Sequence, residues 1–176
     1  MSAIPDFGGS LPKKYKSAAM GDIPALDIKK LFRMVVLGPS FSGKNNLFRH
    51  TPISSNKPEL VITDDFSNDC LLQKNIFSHY FTRGRHFKLS TIFLSHSYFA
   101  TDKMIRLNSE YVAILKANSK RDLQLVVKDF NIKGVDERSI VYYYNKATER
   151  KGQMLFIDSE KGQIRYNFDR PIVIGN

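Results

Sequence analysis

The sequence is poor in the residues that build disulfide frameworks, metal clusters and membrane anchors. Among its 176 residues is one cysteine, Cys70, which has no second cysteine with which to form a disulfide or a zinc knuckle. The four histidines show no ligand spacing, and no run of about 18 apolar residues is long enough to span a bilayer. Near the N-terminus, Pro5 and Asp6 stand where a signal peptide needs an apolar core. These absences predict a soluble, intracellular protein in a reducing compartment, without membrane insertion.

The sequence has fewer acidic than basic residues: 17 Asp and Glu against 27 Lys and Arg, which gives a net charge of +10. This excess favours a polyanionic partner such as nucleic acid, although many small basic domains bind none. A content of 42% hydrophobic residues predicts a chain that folds, and the length suits one domain. Residues 1–30 combine glycines and prolines with Lys13, Lys14 and Lys16 and have few apolar positions. We therefore expect a flexible basic N-terminal arm over residues 1–30 and a folded domain over residues 31–176.

The pattern of apolar residues predicts an α/β fold. Short apolar runs predict buried strands at residues 33–37, 60–63, 90–95 and 111–115. Helical spacing predicts helices over residues 68–83 and 101–107 and from Ser119 onward. In the first of these helices, the expected buried stripe consists of Leu71, Leu72, Ile76, Phe77 and Tyr80. Because residues 153–158 and 163–168 flank a turn, we expect a mostly parallel central sheet with helices on both faces and a C-terminal hairpin.

A glycine-containing loop between the first strand and a helix-compatible segment predicts a phosphate site. It consists of Gly38, Pro39, Ser40, Phe41, Ser42, Gly43 and Lys44, which fit the pattern GxxxxGK. In such a loop the backbone N–H groups and a helix N-terminus face the phosphates, and the lysine reaches the β- and γ-phosphates. The next position normally carries Ser or Thr as a Mg²⁺ ligand, but here it is Asn45. The asparagine carbonyl oxygen is a differently aimed ligand, so phosphate binding is a firmer expectation than metal binding.

The second strand ends in two acids, Asp64 and Asp65, at the carboxyl edge where ligands of open α/β sheets bind. After a phosphate loop, this pattern predicts that Asp64 holds Mg²⁺ and that Asp65 polarises the attacking water. The alternative interpretation is a strand followed by an Asp-rich turn.

Several further segments together are more distinctive than the phosphate loop. They are Phe-Thr-Arg-Gly-Arg-His at residues 81–86, Ser-Thr-Ile-Phe-Leu-Ser-His-Ser-Tyr-Phe at 90–99, Ile-Arg-Leu-Asn at 105–108, Ser-Lys-Arg-Asp-Leu at 119–123 and Phe-Ile-Asp at 156–158. With the phosphate loop and the acidic strand, they resemble the DNA-packaging ATPases of large DNA viruses. These ATPases form the poxvirus-type branch of the FtsK–HerA superfamily, which also occurs in virophages and Polinton-like elements. The resemblance spans roughly residues 32–168.

The resemblance implies an ATP-driven, ring-forming motor that uses Mg²⁺ and threads double-stranded DNA into a viral capsid. It implies a place in the viral factory, in the host cytoplasm or nucleus, or in the virion. Lys44 then corresponds to the phosphate lysine, and Asp64 and Asp65 to the metal-binding and water-activating acids. His96 stands at the polar sensor position where the family usually has glutamine.

Arg83 and Arg85 are candidates for an arginine finger that stabilises charge on a neighbouring subunit's γ-phosphate, with exposed, solvated arginines as the alternative. Arg106 is a similar candidate, or a contact with DNA phosphate. The other cations of a DNA footprint are Lys13, Lys14 and Lys16 in the arm, together with Lys116, Lys120 and Arg121.

Three departures from the family pattern keep a second function open. Two of them are Asn45 and His96. The third is a short connection between the phosphate lysine and Asp64, which consists only of the segment from Asn45 to Thr63, where relatives usually have another strand and helix. They favour a degenerate family member that binds nucleotide or DNA without efficient hydrolysis. A small-molecule kinase is disfavoured, because the late arginines are scattered and form no substrate lid.

Overall fold

The computed structural model describes residues 26–29, 31–38, 59–64, 66, 68–116 and 119–174. Within these residues, seven strands form one sheet in the order β2-β3-β1-β4-β5-β6-β7. The strands are β1 (Arg33–Leu37), β2 (Glu59–Asp64), β3 (Leu89–Ser95), β4 (Tyr111–Leu115), β5 (Met154–Asp158), β6 (Gln163–Tyr166) and β7 (Arg170–Pro171). Strands β2, β3, β1 and β4 are parallel, and β5 to β7 continue the sheet in antiparallel pairs. The predicted strands and the C-terminal hairpin are thereby confirmed.

The described residues include five α-helices between these strands. They are α1 (Cys70–Leu72), α2 (Ser78–Arg83), α3 (Lys103–Leu107), α4 (Lys120–Phe130) and α5 (Ser139–Ala147). A π-helical segment, Gln73–Phe77, joins α1 to α2, and a 3₁₀ turn, Gly84–Phe87, follows α2. Side chains cap three of these helices, because Asp69 accepts from the Leu72 N–H, Asp102 from the Met104 N–H and Ser119 from the Asp122 N–H. None of the helices in the described ranges has the length and apolar character needed to cross a bilayer.

The core consists of two apolar clusters, one on each face of the sheet. Successive strand residues alternate between them, so Val35 belongs to one cluster and Met34 to the other. Helices α2 to α5 contribute buried side chains to the cluster of Val35. The cluster of Met34 contains no residue of the described helices, so helices are confirmed on one face within the described residues. The helix-compatible segment after the predicted phosphate loop, residues 44–50, lies outside them.

The stripe predicted for residues 68–83 is wrong in its membership. Leu71 is 72% exposed and Ile76 43% exposed, whereas Gln73 and Phe81 are buried. The reason is the π-helical segment, in which the Ser78 N–H donates to the Gln73 carbonyl and one extra residue enters the turn. The buried face therefore changes partway along the helix, and apolar spacing does not reveal such a change.

Residues 26–29, which the sequence assigned to the arm, pack on the sheet. Ile28 is 4% exposed in the cluster of Met34, and the Lys29 N–H donates to the Tyr111 hydroxyl at 3.2 Å. Asp27 pairs with Lys161 of the hairpin. The folded domain therefore includes residues that precede the predicted boundary at residue 31, and residues 1–25 lie outside the described part of the chain.

Candidate nucleotide site

The carboxyl ends of three neighbouring strands bring together the described candidates for a nucleotide site. Strand β3 lies between β2 and β1, with Leu37 opposite Ser95 and Asp64 opposite Leu94. The Gly38 N–H donates to the Ser95 carbonyl at 3.1 Å. Because adjacent strands are about 4.8 Å apart, the ends of β1 and β2 are roughly 10 Å apart, with His96 between them. This arrangement matches the edge at which open α/β sheets bind ligands.

The phosphate loop predicted from the sequence begins at this edge. Gly38 is buried directly after β1. The rest of the predicted loop lies outside the described residues and consists of Pro39, Ser40, Phe41, Ser42, Gly43, Lys44 and Asn45. Their roles stay predictions, supported by the position of Gly38.

Of the two acids expected to serve Mg²⁺ and water, Asp64 is exposed at the end of β2 and Asp65 lies outside the described residues. Within the described part of the chain, no group of three or more His, Cys, Asp or Glu side chains is placed to hold a metal ion. Mg²⁺ that binds with nucleotide does not need such a group, because it takes one or two carboxylates, substrate phosphates and water. An exposed carboxylate oxygen at this edge therefore fits the ion, and Asp64 supplies it.

His96 is exposed and stands at the start of a loop whose backbone is tied to the end of β3. Thr101 Oγ1 lies 3.0 Å from Ser95 Oγ and 3.0 Å from the Ser97 carbonyl oxygen, and its single hydroxyl hydrogen is shared between these two acceptors. Ser95 and Thr101 are both buried, so these hydrogen bonds are shielded from water. The structure thus holds the loop of residues 95–102, which we call the sensor loop, in one conformation beside Gly38.

Helix α4 anchors the sensor loop through Asp122. Its carboxylate is buried and accepts from the Phe99 N–H at 2.8 Å and from the Ser97 hydroxyl at 3.0 Å. Hydrogen bonds to a charged acceptor are stronger than neutral ones. Residues 119–123 were singled out by the family resemblance without a role for the aspartate, and the structure supplies that role.

Gln73 connects the sensor loop to the segment that follows the acidic strand, and sequence reasoning missed it. Its amide donates to the Phe66 carbonyl at 3.0 Å and to the Ala100 carbonyl at 3.3 Å, while its oxygen accepts from the Asp102 N–H at 2.7 Å. It is 1% exposed. A polar residue among the apolar positions of the predicted helix was the available signal, but the π-helical segment concealed which face it occupies.

The two finger candidates lie at the opposite edge of the sheet. Helix α2 returns from the carboxyl edge to the amino edge, so Arg83 and Arg85 precede the start of β3. Since β3 has seven residues, they are roughly 20 Å from the strand ends that carry His96 and Asp64. Neither arginine is therefore near Gly38, the described residue at which its own subunit's predicted phosphate loop begins. The Arg83 side chain is exposed and makes no hydrogen bond or ion pair with another described residue, whereas Arg85 pairs with Glu110.

Glu110 is the centre of a charged cluster at this amino edge. Its carboxylate accepts from the Arg33 backbone N–H at 2.7 Å and from Arg33 Nε at 2.9 Å, and it also contacts Arg85 and, at 3.6 Å, Lys29. Burial raises the pKa of Glu110, but the hydrogen bonds and charge of Arg33, with the charge of Lys29, outweigh burial and hold the pKa below its ordinary value of 4.5. The Gly84–Phe87 turn is thus fixed to β1 and β4 by a carboxylate that stays ionised.

Arg106, proposed from the sequence as a finger or a DNA contact, is instead held inside the protein. Its guanidinium donates to Asp129 at 2.6 Å and to the Thr101 carbonyl at 3.1 Å, and it lies 5.1 Å from the centre of the Tyr98 ring. The side chains of Arg106 and Asp129 are 12% and 13% exposed. These contacts connect α3 to α4, and an arginine so engaged does not reach another molecule.

The described members of the predicted DNA footprint lie near the carboxyl edge. Lys116, Lys120 and Arg121 are exposed between β4 and the first turn of α4. Arg121 stacks on the Phe99 ring, with its guanidinium carbon 3.5 Å from the ring centre. Lys13, Lys14 and Lys16 lie outside the described residues.

Comparison with known proteins supports this description of the fold. The family described as Poxvirus A32 protein matches residues 46–165, which is more than half of the chain. The genome packaging NTPase B204 from Sulfolobus turreted icosahedral virus 2, in complex with AMP, is 11% identical with a TM-score of 0.59 over 81% of this chain and 98% of that chain. Its complexes with ATP-gammaS and AMPPCP match at 11% identity, with TM-scores of 0.58 and 0.57 and the same coverage. At this identity the likeness concerns the fold, and it confirms the predicted α/β P-loop NTPase architecture. No curated protein matches the chain.

Proposed function

This chain belongs to the poxvirus A32 protein family, and we propose on that basis that it is the ATPase of a motor that packages double-stranded viral DNA into a capsid. The observation that carries the proposal is the alignment of Gly38, Asp64 and His96 on three adjacent strand ends. A phosphate loop, an acid and a polar sensor are the parts that a P-loop ATPase needs at one edge.

Each part has a defined task in the proposed reaction. Lys44 and the backbone N–H groups of the loop bind the β- and γ-phosphates. Asp64 would hold Mg²⁺, which would supply positive charge beside the transferred phosphoryl group. Asp65 orients and polarises the attacking water, and His96 hydrogen-bonds the γ-phosphate or that water. Asp122 and Gln73 keep the sensor loop at a fixed distance from the acidic strand.

Arg83 is the stronger finger candidate of the two arginines. It is exposed and without a partner among the described residues, whereas Arg85 would have to leave the buried carboxylate of Glu110 to reach another subunit. Since both lie at the amino edge, a finger from either one acts on a neighbouring subunit in a ring. Such a guanidinium contributes about 10³-fold or more to turnover.

ATP hydrolysis with and without duplex DNA, measured in the presence of Mg²⁺, tests the proposal. We expect DNA-stimulated turnover in the wild type, its loss in Lys44→Ala and Asp64→Ala, and its retention in Lys133→Gln, a control that removes an exposed cation. Turnover that survives Lys44→Ala would contradict the proposed site. Retained nucleotide binding without turnover, with turnover restored by Asn45→Thr, would instead identify a degenerate family member.

Mixing variants tests whether the finger acts between subunits. Lys44→Ala subunits lack the phosphate lysine but keep Arg83, whereas Arg83→Ala subunits keep the lysine. If the finger acts in trans, the mixture hydrolyses ATP faster than either variant alone. Arg85→Ala mixed with Lys44→Ala is the matched comparison. Rescue by the Arg85 mixture alone would assign the finger to Arg85.

A further inference from the structure

We propose that a basic cleft at the carboxyl edge of the sheet binds the phosphate backbone of duplex DNA. The cleft has a volume of about 310 Å³ and lies between the end of α5 and the hairpin. Lys146, Arg150 and Arg170 line it, and Glu149 is the one acidic residue of the described part that does so. The inference rests on the proposed function in taking duplex DNA as the substrate.

In the described part of the chain, no ion pair with a strong partner neutralises the cations of the cleft. Lys146 and Arg150 form no ion pair with another described residue. Arg170 lies 3.9 Å from Asp169, and the two side chains are 61% and 67% exposed, so this pair is weak. Arg165, by contrast, is fully buried against Asp158 at 2.5 Å. The cleft cations are therefore available to an external anion.

The local backbone favours a polyanion over a compact phosphate ligand. Lys146 stands in the last turn of α5, at the carboxyl end of a helix, where the dipole is negative. Compact phosphate sites commonly add backbone N–H donors, at a helix N-terminus or a glycine-rich loop, to their cationic side chains. Here the binding groups are long cationic side chains from a helix end, a turn and a strand. Such groups suit a repeating phosphate backbone, from which each contact releases counterions.

The aromatic residue of the cleft favours duplex over single-stranded DNA. Tyr166 is half-buried, and the Lys146 ammonium lies 5.8 Å from the centre of its ring. Single-strand binding depends on open aromatic faces on which successive bases stack. A ring that is half-buried and has a cation over one face offers little stacking surface, whereas duplex backbone contacts need none.

The cleft shares its edge with the candidate nucleotide site. Met154 begins β5 opposite Leu115, the last residue of β4, and β4 pairs with β1. Three strand spacings of about 4.8 Å therefore place the cleft strand β6 roughly 14 Å from β1. DNA held in the cleft would therefore lie at the same edge of the sheet as a nucleotide bound at the candidate site.

Fluorescence anisotropy with a short labelled duplex of random sequence, at about 50 to 200 mM KCl, tests the inference. The double variant Arg150→Gln/Arg170→Gln should weaken duplex binding about tenfold and lower the slope of log Kd against log salt by about 2. The matched control Lys128→Gln/Lys133→Gln removes two exposed cations elsewhere and should change Kd by less than about twofold. Arg150→Lys/Arg170→Lys should keep the affinity, because the contact depends on charge.

Several results would overturn the inference. One is an unchanged affinity and salt slope in the double variant, and another is a wild type that does not bind duplex DNA or prefers single-stranded DNA. A third is a double variant that loses binding to a labelled ATP analogue but still binds duplex DNA. ATP hydrolysis without DNA, measured on the same proteins, separates the two proposals. Basal turnover should be equal in wild type and double variant if only the DNA contact is removed. A wild type that binds duplex through the cleft but never hydrolyses ATP would contradict the motor and support the cleft.

Discussion

Replacing Glu110 by glutamine tests the charged cluster that fixes the Gly84–Phe87 turn to the sheet. The wild-type carboxylate accepts three hydrogen bonds from Arg33 and one from Arg85. Glutamine keeps the shape and one acceptor oxygen, but it removes the negative charge and presents an N–H₂ group to cationic donors. The variant therefore isolates the charge of Glu110 from its volume.

The size of the effect follows from which cations are left without a partner. Breaking a buried ion pair costs about 3–5 kcal/mol, because the remaining charge stays buried. The side chains of Arg85 and Lys29 are 45% and 30% exposed, so water solvates their charges after the change. The Arg33 side chain is only 14% exposed, so its charge stays buried without a counter-ion. We therefore expect a loss of about 3 kcal/mol in the free energy of unfolding.

Urea unfolding at a series of pH values measures this loss, with Glu160→Gln as control. Glu160 pairs with Lys29 at 2.5 Å but is 44% exposed, so its replacement should cost less than about 1 kcal/mol. Because the pKa of Glu110 in the folded protein is below 4.5, its stabilising contribution is fully present above the unfolded pKa and is lost as pH falls through the folded pKa. The difference between wild type and Glu110→Gln should be constant above about pH 5 and shrink below it.

Two results would refute this reasoning. The first is a cost for Glu110→Gln no greater than that for Glu160→Gln, which would mean that the cluster is no stronger than a surface pair. The second is a difference that persists undiminished in acid, which would mean that the effect arises from shape and not from ionisation.

Two further predictions concern the candidate site and the backbone. Gln73→Met should lower the free energy of unfolding by about 2–3 kcal/mol, because three hydrogen bonds are lost. It should also lower kcat for ATP hydrolysis more than it raises KM. The control is Asn75→Met at an exposed neighbouring position, and equal effects of the two changes would contradict the role of Gln73. Lys88 adopts a left-handed backbone conformation with φ of 56°. Lys88→Gly should therefore raise the free energy of unfolding, measured in urea, by about 1 kcal/mol. A lower free energy of unfolding would show that the Lys88 side chain stabilises the fold by more than the backbone strain costs.

Elements built from local apolar runs could be predicted from the sequence. Arg33–Leu37 and Tyr111–Leu115 have the predicted bounds, because strands buried on both faces of a parallel sheet need uninterrupted apolar residues. The helix at residues 68–83 was found, but its buried face was not. The geometry of its π-helical segment depends on packing against the sheet and not on the spacing of apolar residues.

The position of the candidate site could also be predicted, whereas the contacts that support it could not. Asp64 ends a strand, Gly38 and His96 each follow one, and parallel strands end at one edge. Glu110, in contrast, pairs with an arginine 77 positions away, and Arg106 pairs with an aspartate 23 positions away. Nothing in the residues near either side chain shows such a partner, so Arg106 resembled an exposed arginine until the fold placed Asp129 beside it.

The central place of β3 determines how mechanical work can leave the candidate site. Backbone pairing joins β3 to β2 from Glu59 to Asp64 and to β1 from Arg33 to Leu37. Sliding β2, which ends in Asp64, past β1, which precedes the predicted phosphate loop, would break the hydrogen bonds that β3 makes with both strands. The sheet therefore acts as a rigid frame under load. If the chain hydrolyses ATP as proposed, the movement passes through the loops beyond the strand ends, and residues 95–102 are the described segment best placed to transmit it.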